Sequence, residues 1–181
     1  MGVVAASVAA ALRENGEHMD LKRLIRHAFT FEFAVRRVFT PYLLDTIERT
    51  ITACEQRHGG EIRFAIEGSL HVSEIWSGIT PRERALQVFA RLGVWDTAAN
   101  NGVLIYLLFA DRDIEIVADR GLNDHIDAGQ WSEICQRMDQ QLASGKAEDA
   151  CIAAIEAVSK LLAEHYPVSD RNEQPNRPAL L

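Results

Sequence analysis

Residues 100–121, NNGVLIYLLFADRDIEIVADRG, decide the fold. The apolar run 102–110 has the length of a strand, and turn-forming residues stand at both of its ends. A run without polar interruptions is typical of a strand buried on both faces of a sheet. The sequence Asp-Arg-Asp at 111–113 predicts a tight reversal, and apolar and polar positions alternate over 114–118. Two strands joined by so short a turn must pair antiparallel, so this stretch predicts a β-hairpin.

A second strand and a helix precede the hairpin. Apolar residues recur with a period of two over 61–67, which predicts a strand that is covered more on one face than on the other. Thr80-Pro81-Arg82-Glu83 is a capping box with proline at the first helical position, and it predicts a helix over 81–92. A strand, a helix and a strand in this order form a βαβ unit, which should cross over right-handed.

Further helices are predicted on either side of this unit. Thr40-Pro41 marks a helix start, and His58-Gly59-Gly60 ends that helix. Asp127 with Gln130 caps another helix, and apolar spacing over 151–162 indicates a last one. We therefore expect an α/β fold in which a mixed central β-sheet is sandwiched between helices (α/β/α), with a βαβ unit followed by a β-hairpin.

The chain of 181 residues has room for one domain with its own core. We expect a mobile leader at 1–18, a helical extension at 19–38, the main domain at 39–166 and a disordered, proline-containing tail at 167–181. A weak signal peptide is the alternative for the leader, although no Lys or Arg precedes its apolar run.

Composition narrows the classes of function. Apolar residues make up 48% of the chain, and the formal net charge is −7. Binding to nucleic acid or to an anionic membrane needs clustered basic residues, so we expect neither, nor a segment inserted into a membrane. Cys54, Cys135 and Cys151 form no CxxC pair and fall on apolar helix stripes, which favours core positions over a disulfide or a metal site. An odd number of such cysteines is typical of a reducing, cytoplasmic location.

Three pieces in a fixed order carry a resemblance to a known family. They are the segment 92–96 (LGVWD), the turn and strand at 100–104 (NNGVL) and the segment 111–121 (DRDIEIVADRG). In this combination the chain resembles the TPM domain family over roughly residues 40 to 165. That family includes a thylakoid acid phosphatase involved in photosystem II repair and many uncharacterised bacterial proteins.

The resemblance implies a mixed sheet between helical layers, as the residues predict independently. It also implies a divalent metal ion, typically calcium, near the loops at the sheet edge, and weak phosphatase activity in some members. The chain departs from the common pattern at Asn100, where an Asp is frequent, and at Asp119-Arg120, which replaces a more usual Gly-aromatic pair before Gly121. Losing a carboxylate at position 100 weakens any calcium site, because ligand charge sets affinity.

Four residues form the candidate metal set: Asp96, Asn100, Asn101 and Asp119. The hairpin brings the two ends of its strands together, so oxygen ligands before the first strand and after the second can converge. The expected cofactor is calcium or another divalent cation, with no organic cofactor. A turn-forming Asn pair and a surface Asp explain the same residues without a metal.

Phosphomonoester hydrolysis is the alternative function. For it, Asp119 would orient water, Arg120 would hold phosphate and His71 would act as an acid. No phosphate-binding Gly-rich loop, CxxxxxR signature or Ser-His-Asp arrangement is apparent in the sequence. Whether the protein is an enzyme therefore stays open.

The leading hypothesis is a binding domain. Trp76, together with Glu74 and His71, lies in a polar loop predicted at 68–78, after the first strand, and tryptophan is favoured at binding surfaces. The expected partner is a protein, and a membrane-associated protein is one form that this partner can take.

Overall fold

The computed structural model describes residues 21–29, 32–167 and 172–181. Its helices are α1 (Leu21–Phe29), α2 (Glu32–Val38), α3 (Pro41–Glu55), α4 (Val72–Trp76), α5 (Pro81–Arg91), α6 (Ala128–Ala143) and α7 (Ala147–His165). Its strands are β1 (Glu61–Glu67), β2 (Gly102–Leu108), β3 (Asp113–Ala118) and β4 (Ala179–Leu180). A 3-10 turn at Arg120–Leu122 follows β3. The predicted leader, 1–18, lies outside the described residues.

The strands form one mixed sheet in the order β3-β2-β1-β4. β1 and β2 pair parallel, from Glu61 opposite Gly102 to Glu67 opposite Leu108, and α5 connects them. β2 and β3 pair antiparallel as the predicted hairpin. The βαβ unit and the hairpin are therefore confirmed.

Two apolar cores lie on opposite faces of this sheet. One face, which includes Phe64 and Ile105, packs against α3, α6 and α7. The other face, which includes Leu104 and Tyr106, packs against α1, α4 and α5. Every residue of β2 is buried, as expected of a central strand with helices on both sides. The predicted α/β/α sandwich is confirmed.

The predicted helix caps are confirmed, because their side chains form hydrogen bonds with backbone N–H groups of the first helical turn. Thr40 accepts a hydrogen bond from the N–H of Leu43, and Thr80 with Glu83 forms the reciprocal capping box at the start of α5. Asp127 and Gln130 cap α6 in the same way. No helix within the described ranges is long and apolar enough to cross a membrane.

Two regions differ from the sequence-based expectation. The segment after β1, expected to be a loop, contains the one-turn helix α4. Part of the tail expected to be disordered is ordered, because residues 172–181 lie along β1 and end in β4. Their polar side chains and backbone find partners on β1 and α3, which a reading of the tail alone could not reveal.

The sheet has two ends that matter below. We call the end at Glu61 and Gly102 the amino edge, and the end at Glu67 and Leu108 the carboxyl edge. A strand of seven residues separates them by about 20 Å. Side chains at the two edges therefore cannot act on one small ligand.

Candidate functional site

Asn101 and Asp119 both lie at the amino edge, because they stand at the ends of the two paired strands of the β-hairpin. Asn101 directly precedes β2 and Asp119 directly follows β3. The N–H of Asp119 donates to the carbonyl of Gly102 over 2.9 Å, which closes the hairpin at this end. Both polar side chains are buried, with 2% of Asn101 and 8% of Asp119 exposed.

Each of these side chains has one buried oxygen that accepts no hydrogen bond from the part of the chain that the structure describes. The Asn101 amide donates from Nδ2 to the carbonyl of Gly59 at 2.6 Å, whereas its Oδ1 is buried and accepts no hydrogen bond from the described residues. Asp119 Oδ1 accepts the N–H of Arg120 at 2.7 Å, whereas its Oδ2 is likewise buried and unpartnered within the described chain. A buried acceptor without a donor costs roughly 1–3 kcal/mol, so two such atoms at one edge call for an explanation.

Gly121 lets the two loops of the site approach closely. Its N–H donates to the carbonyl of Asn100 at 2.9 Å. A Cβ at this position would lie 2.5 Å from the oxygen of Asn100 and 2.7 Å from that of Ala99. Only glycine fits against these two backbone carbonyls, which accounts for the closing glycine of the sequence pattern.

Tyr166 closes the site from the end of α7. Its hydroxyl donates to the carbonyl of Gly121 at 2.7 Å, and its own carbonyl accepts the N–H of Gly59 at 2.9 Å. Burial and then the negative charge of Asp119 raise the pKa of the Tyr166 hydroxyl. The sequence reading missed Tyr166, because only the packing of α7 brings it to the hairpin.

Asn100 and Arg120 bind each other. Asn100 adopts a left-handed backbone conformation (φ 52°), and its Oδ1 accepts hydrogen bonds from Arg120 Nη2 at 2.9 Å and Nε at 3.1 Å. The side-chain oxygen of Asn100 is therefore already occupied by the positively charged guanidinium of Arg120. The contact also uses two donors that Arg120 would need to hold a phosphate group.

Asp96 stands apart from the buried pair. Its side chain is exposed and makes no hydrogen bond or ion pair with the described residues. Across the described ranges, no three His, Cys, Asp or Glu side chains are grouped so that they could hold a metal ion. Of the four predicted metal residues, Asn101 and Asp119 are therefore the two that are buried at the amino edge with an oxygen that accepts no hydrogen bond from the described residues.

A second buried carboxylate, that of Glu67, lies at the carboxyl edge. Arg84 on α5 donates to both of its oxygens, from Nη2 at 2.6 Å and from Nε at 2.8 Å. Tyr106 donates its hydroxyl to Oε2 at 2.6 Å, and Arg84 also pairs with Glu74 at 2.7 Å. Burial and the Glu67 charge raise the pKa of Tyr106, so that hydroxyl keeps its proton. This cluster is fully partnered.

The remaining predicted site residues belong to this carboxyl edge. His71 precedes α4, and its N–H donates to Glu74 at 2.8 Å. Glu74 is thereby held between His71 and Arg84, whereas Trp76 at the end of α4 remains 45% exposed. The structure thus separates His71 from Asp119 and Arg120 by the length of the sheet. A buried strand that ends in Glu67 is the one sequence signal that could have revealed the ionic cluster.

A family model and two solved structures are similar to this chain. A family model described as the TPM domain matches residues 35–161. The NMR structure of the BA42 protein from the psychrophilic bacterium Bizionia argentinensis is similar, with a TM-score of 0.69 and 28% sequence identity over 78% of this chain and 94% of that one. The N-terminal domain of a P. gingivalis protein shares the fold, with a TM-score of 0.58 and 18% identity over 74% of this chain and 82% of that one. A search of curated proteins finds no match.

Proposed function

The chain belongs to the TPM domain family, and on that premise we propose that it is a binding domain that holds a divalent cation at the amino edge of its sheet. Asp119 and Asn101 would bind the cation, calcium being the leading candidate. A protein partner would be recognised elsewhere on the surface.

One observation carries the cation proposal: Asp119 Oδ2 and Asn101 Oδ1 are both buried and both lack a donor among the described residues. A cation is the counterpart that two acceptor-only atoms prefer. Hard divalent cations take carboxylate, amide and backbone oxygens, and the candidate donors here are all oxygens. Zinc and copper favour nitrogen or sulfur ligands, so calcium or magnesium suits the set better.

The charge of the site limits its affinity. Asp119 supplies the one carboxylate of the buried pair, and the Arg120 guanidinium, bound to Asn100, adds a neighbouring positive charge. Fewer negative ligands give weaker calcium binding, so the expected dissociation constant lies in the range of about 0.1–1 mM that is typical of weak sites. Water would complete the coordination shell.

The alternative function, weak phosphomonoester hydrolysis, has less support. Its candidate acid, His71, follows β1 at the carboxyl edge, whereas Asp119 and Arg120 follow β3 at the amino edge. A single phosphate group cannot contact both sets. Phosphatase activity is therefore tested alongside cation binding in the experiment described below.

Recognition of a protein partner would involve Trp76. Its ring is 45% exposed, and Val72 on the same face of α4 is also exposed. Leu21 and Ile25 of α1, which packs against α4, are exposed too. Exposed tryptophan is typical of protein–protein contacts.

Calorimetric titration with calcium chloride and magnesium chloride, combined with thermal unfolding, tests the cation proposal. We expect saturable heat with calcium in the millimolar range and a rise in the midpoint of unfolding. Asp119→Asn should abolish both effects while the fold is kept, because the amide oxygen can still accept the N–H of Arg120. Asp124→Asn removes an equal charge from an exposed position of the following turn and should leave both effects intact.

Absence of heat and of a thermal shift at 10-fold the expected dissociation constant would end the proposal. The same samples should be assayed on a generic phosphomonoester, with and without metal. Turnover that Asp119→Asn removes, with folding unchanged, would favour the phosphatase function instead.

A further inference from the structure

Residues 172–181, which we call the strap, fill a groove along the free side of β1. The groove, which we call the peptide groove, lies between β1 and α3 and is lined by Asp45, Glu48, Thr52, Glu61 and Arg63. β1 would otherwise be the edge strand of the sheet on this side. An uncovered edge strand is a template for pairing with another extended chain.

Two side chains of β1 contact the strap through its backbone. The Glu61 carboxylate accepts the N–H groups of Glu173 at 2.9 Å and of Gln174 at 3.2 Å. The Arg63 guanidinium donates to the carbonyls of Pro175 and of Arg177, the latter at 3.0 Å. Contacts of this kind recognise an extended backbone and not a particular side chain, so other segments could satisfy them equally well.

Other contacts depend on the strap's sequence. Arg177 pairs with Asp45 at 2.8 Å and with Glu48 at 2.7 Å on α3. Pro175 and Pro178 flank it with the spacing P-x-x-P, and Pro178 is buried. Proline restricts φ and so lowers the entropy lost when an extended segment docks. The strap therefore displays an Arg within a P-x-x-P segment, followed by the apolar residues Ala179 and Leu180.

The strap is held by a short β-ladder and by side-chain contacts, which include the bond from Gln174 Nε2 to the carbonyl of Gly93 at 3.0 Å and that from the N–H of Ala98 to the Glu173 carboxylate at 3.2 Å. Its ladder is two residues long, with Ala179 and Leu180 opposite Ala65 and Ile66, and one further hydrogen bond runs from the N–H of Leu181 to the carbonyl of Ile66 at 2.9 Å. About half of the Arg177 side chain is exposed in its ion pairs, and exposed pairs contribute roughly 0–1 kcal/mol each. β1, by contrast, pairs with β2 over its full seven residues.

We propose that the peptide groove is a binding site for an extended segment of a partner protein, and that the strap occupies it as an intramolecular competitor. The segment it fits has a P-x-x-P pair with an Arg directly before the second proline and small or apolar residues after it. Because the strap is tethered, it competes at a millimolar effective concentration, and a partner must outcompete it or act when it is released.

A fluorescence polarisation experiment on the full chain tests this. The probe is a labelled peptide with the sequence of residues 172–181, NEQPNRPALL. The strap is weakened in place by combining Arg177→Glu, which reverses the charge facing α3, with Leu181→Pro, which removes the donor to Ile66. These changes leave the groove itself intact. Arg137→Glu, on the exposed face of α6, is the charge-matched control.

The weakened-strap variant should bind the peptide at least 10-fold more tightly than the unmodified chain or the control does. A peptide carrying Glu in place of its Arg should bind the variant at least 10-fold more weakly, since it faces Asp45 and Glu48. If the variant is folded by circular dichroism and binds neither peptide, the proposal is overturned. If it does not fold, hydrogen exchange on the unmodified chain replaces it: added peptide must change the protection of the amides in 172–181, and no change overturns the proposal.

Oligomeric state separates a partner from a second copy of the chain. Sedimentation of the unmodified chain should show a monomer, with the strap bound to its own groove. A stable dimer that Arg177→Glu dissociates would overturn the partner assignment, because the groove would then be filled by another copy's strap.

Discussion

Glu67 at the carboxyl edge and Asp119 at the amino edge are both buried, but their hydrogen bonding differs. At the carboxyl edge, Glu67 receives two hydrogen bonds from Arg84 and one from Tyr106, and the cluster has no unmet polar atom. At the amino edge, Asp119 and Asn101 each keep a buried oxygen without a donor in the described chain. Both arrangements occur on the same scaffold, within about 20 Å of each other.

The difference separates a structural cluster from a candidate site. A carboxylate whose lone pairs are all used by the protein can stabilise packing but has little left for a ligand. A carboxylate with a spare, desolvated oxygen carries an unmet cost that a cation can remove. Burial of a charge therefore does not itself indicate function, and the cation proposal rests instead on the two buried oxygens at the amino edge.

The largest effect is expected from Arg84→Ala. It leaves Glu67 and Glu74 without their guanidinium inside the protein, which should lower the free energy of unfolding by about 3–5 kcal/mol. Arg82→Ala is the matched control on the same helix. Arg82 is half exposed beside Glu115, whereas Arg84 is 11% exposed, so the control should cost about 1 kcal/mol or less. Urea denaturation gives both values, and equal costs would contradict a structural role for the Glu67 cluster.

A smaller effect is expected from Gly121→Ala at the amino edge. The added methyl group would meet the carbonyls of Asn100 and Ala99, so the loops must separate at a cost of about 1–3 kcal/mol. Gly68→Ala serves as the control, because its nearest contact is the Val35 side chain at 3.2 Å, which can move. If the two variants were equally stable in urea, the close approach at Gly121 would not matter to the fold.

The smallest effect is a pH dependence from Glu55, a third carboxylate, which lies beside the amino edge. Its Oε1 accepts the N–H of Ile62, but burial raises the pKa of the carboxyl to about 7 from 4.5. A raised folded-state pKa means that the folded protein binds the proton more tightly than the unfolded chain does. The contribution to stability is therefore full below pH 4.5 and is lost as the pH rises to about 7.

Glu55→Gln should remove this dependence while keeping the hydrogen bond to Ile62. Between pH 5 and pH 8, the unmodified chain should lose about 1–2 kcal/mol more of its unfolding free energy than the variant does, allowing for partial exposure. Glu164→Gln, exposed on α7, should behave like the unmodified chain. Parallel curves for Glu55→Gln and the unmodified chain would show that Glu55 titrates normally.

Local rules predicted the elements that depend on neighbouring residues. The capping box at Thr80 and the cap at Asp127 are satisfied within four residues of chain. The reversal predicted at 111–113 is equally local, although the structure shifts it to 109–112, where the N–H of Arg112 donates to the carbonyl of Phe109. The same rules predicted disorder for the strap, since its stabilising partners lie more than 100 residues away on β1 and α3. Arg23 and Arg26 of α1 likewise both pair with Asp111 in the hairpin turn, more than 80 residues away, which no local pattern indicates.

The sequence by itself determined the hairpin at 100–121, its place after a βαβ unit and the family to which the chain belongs. Period-two burial, turn residues and caps are short-range properties, so they can be read without coordinates. Only the tertiary structure decided that His71 and Asp119 lie at opposite edges, that Arg120 binds Asn100, and that Asn101 and Asp119 each keep a spare oxygen. Whether a buried polar atom is satisfied depends on which distant donors the fold brings to it, and no local pattern encodes that.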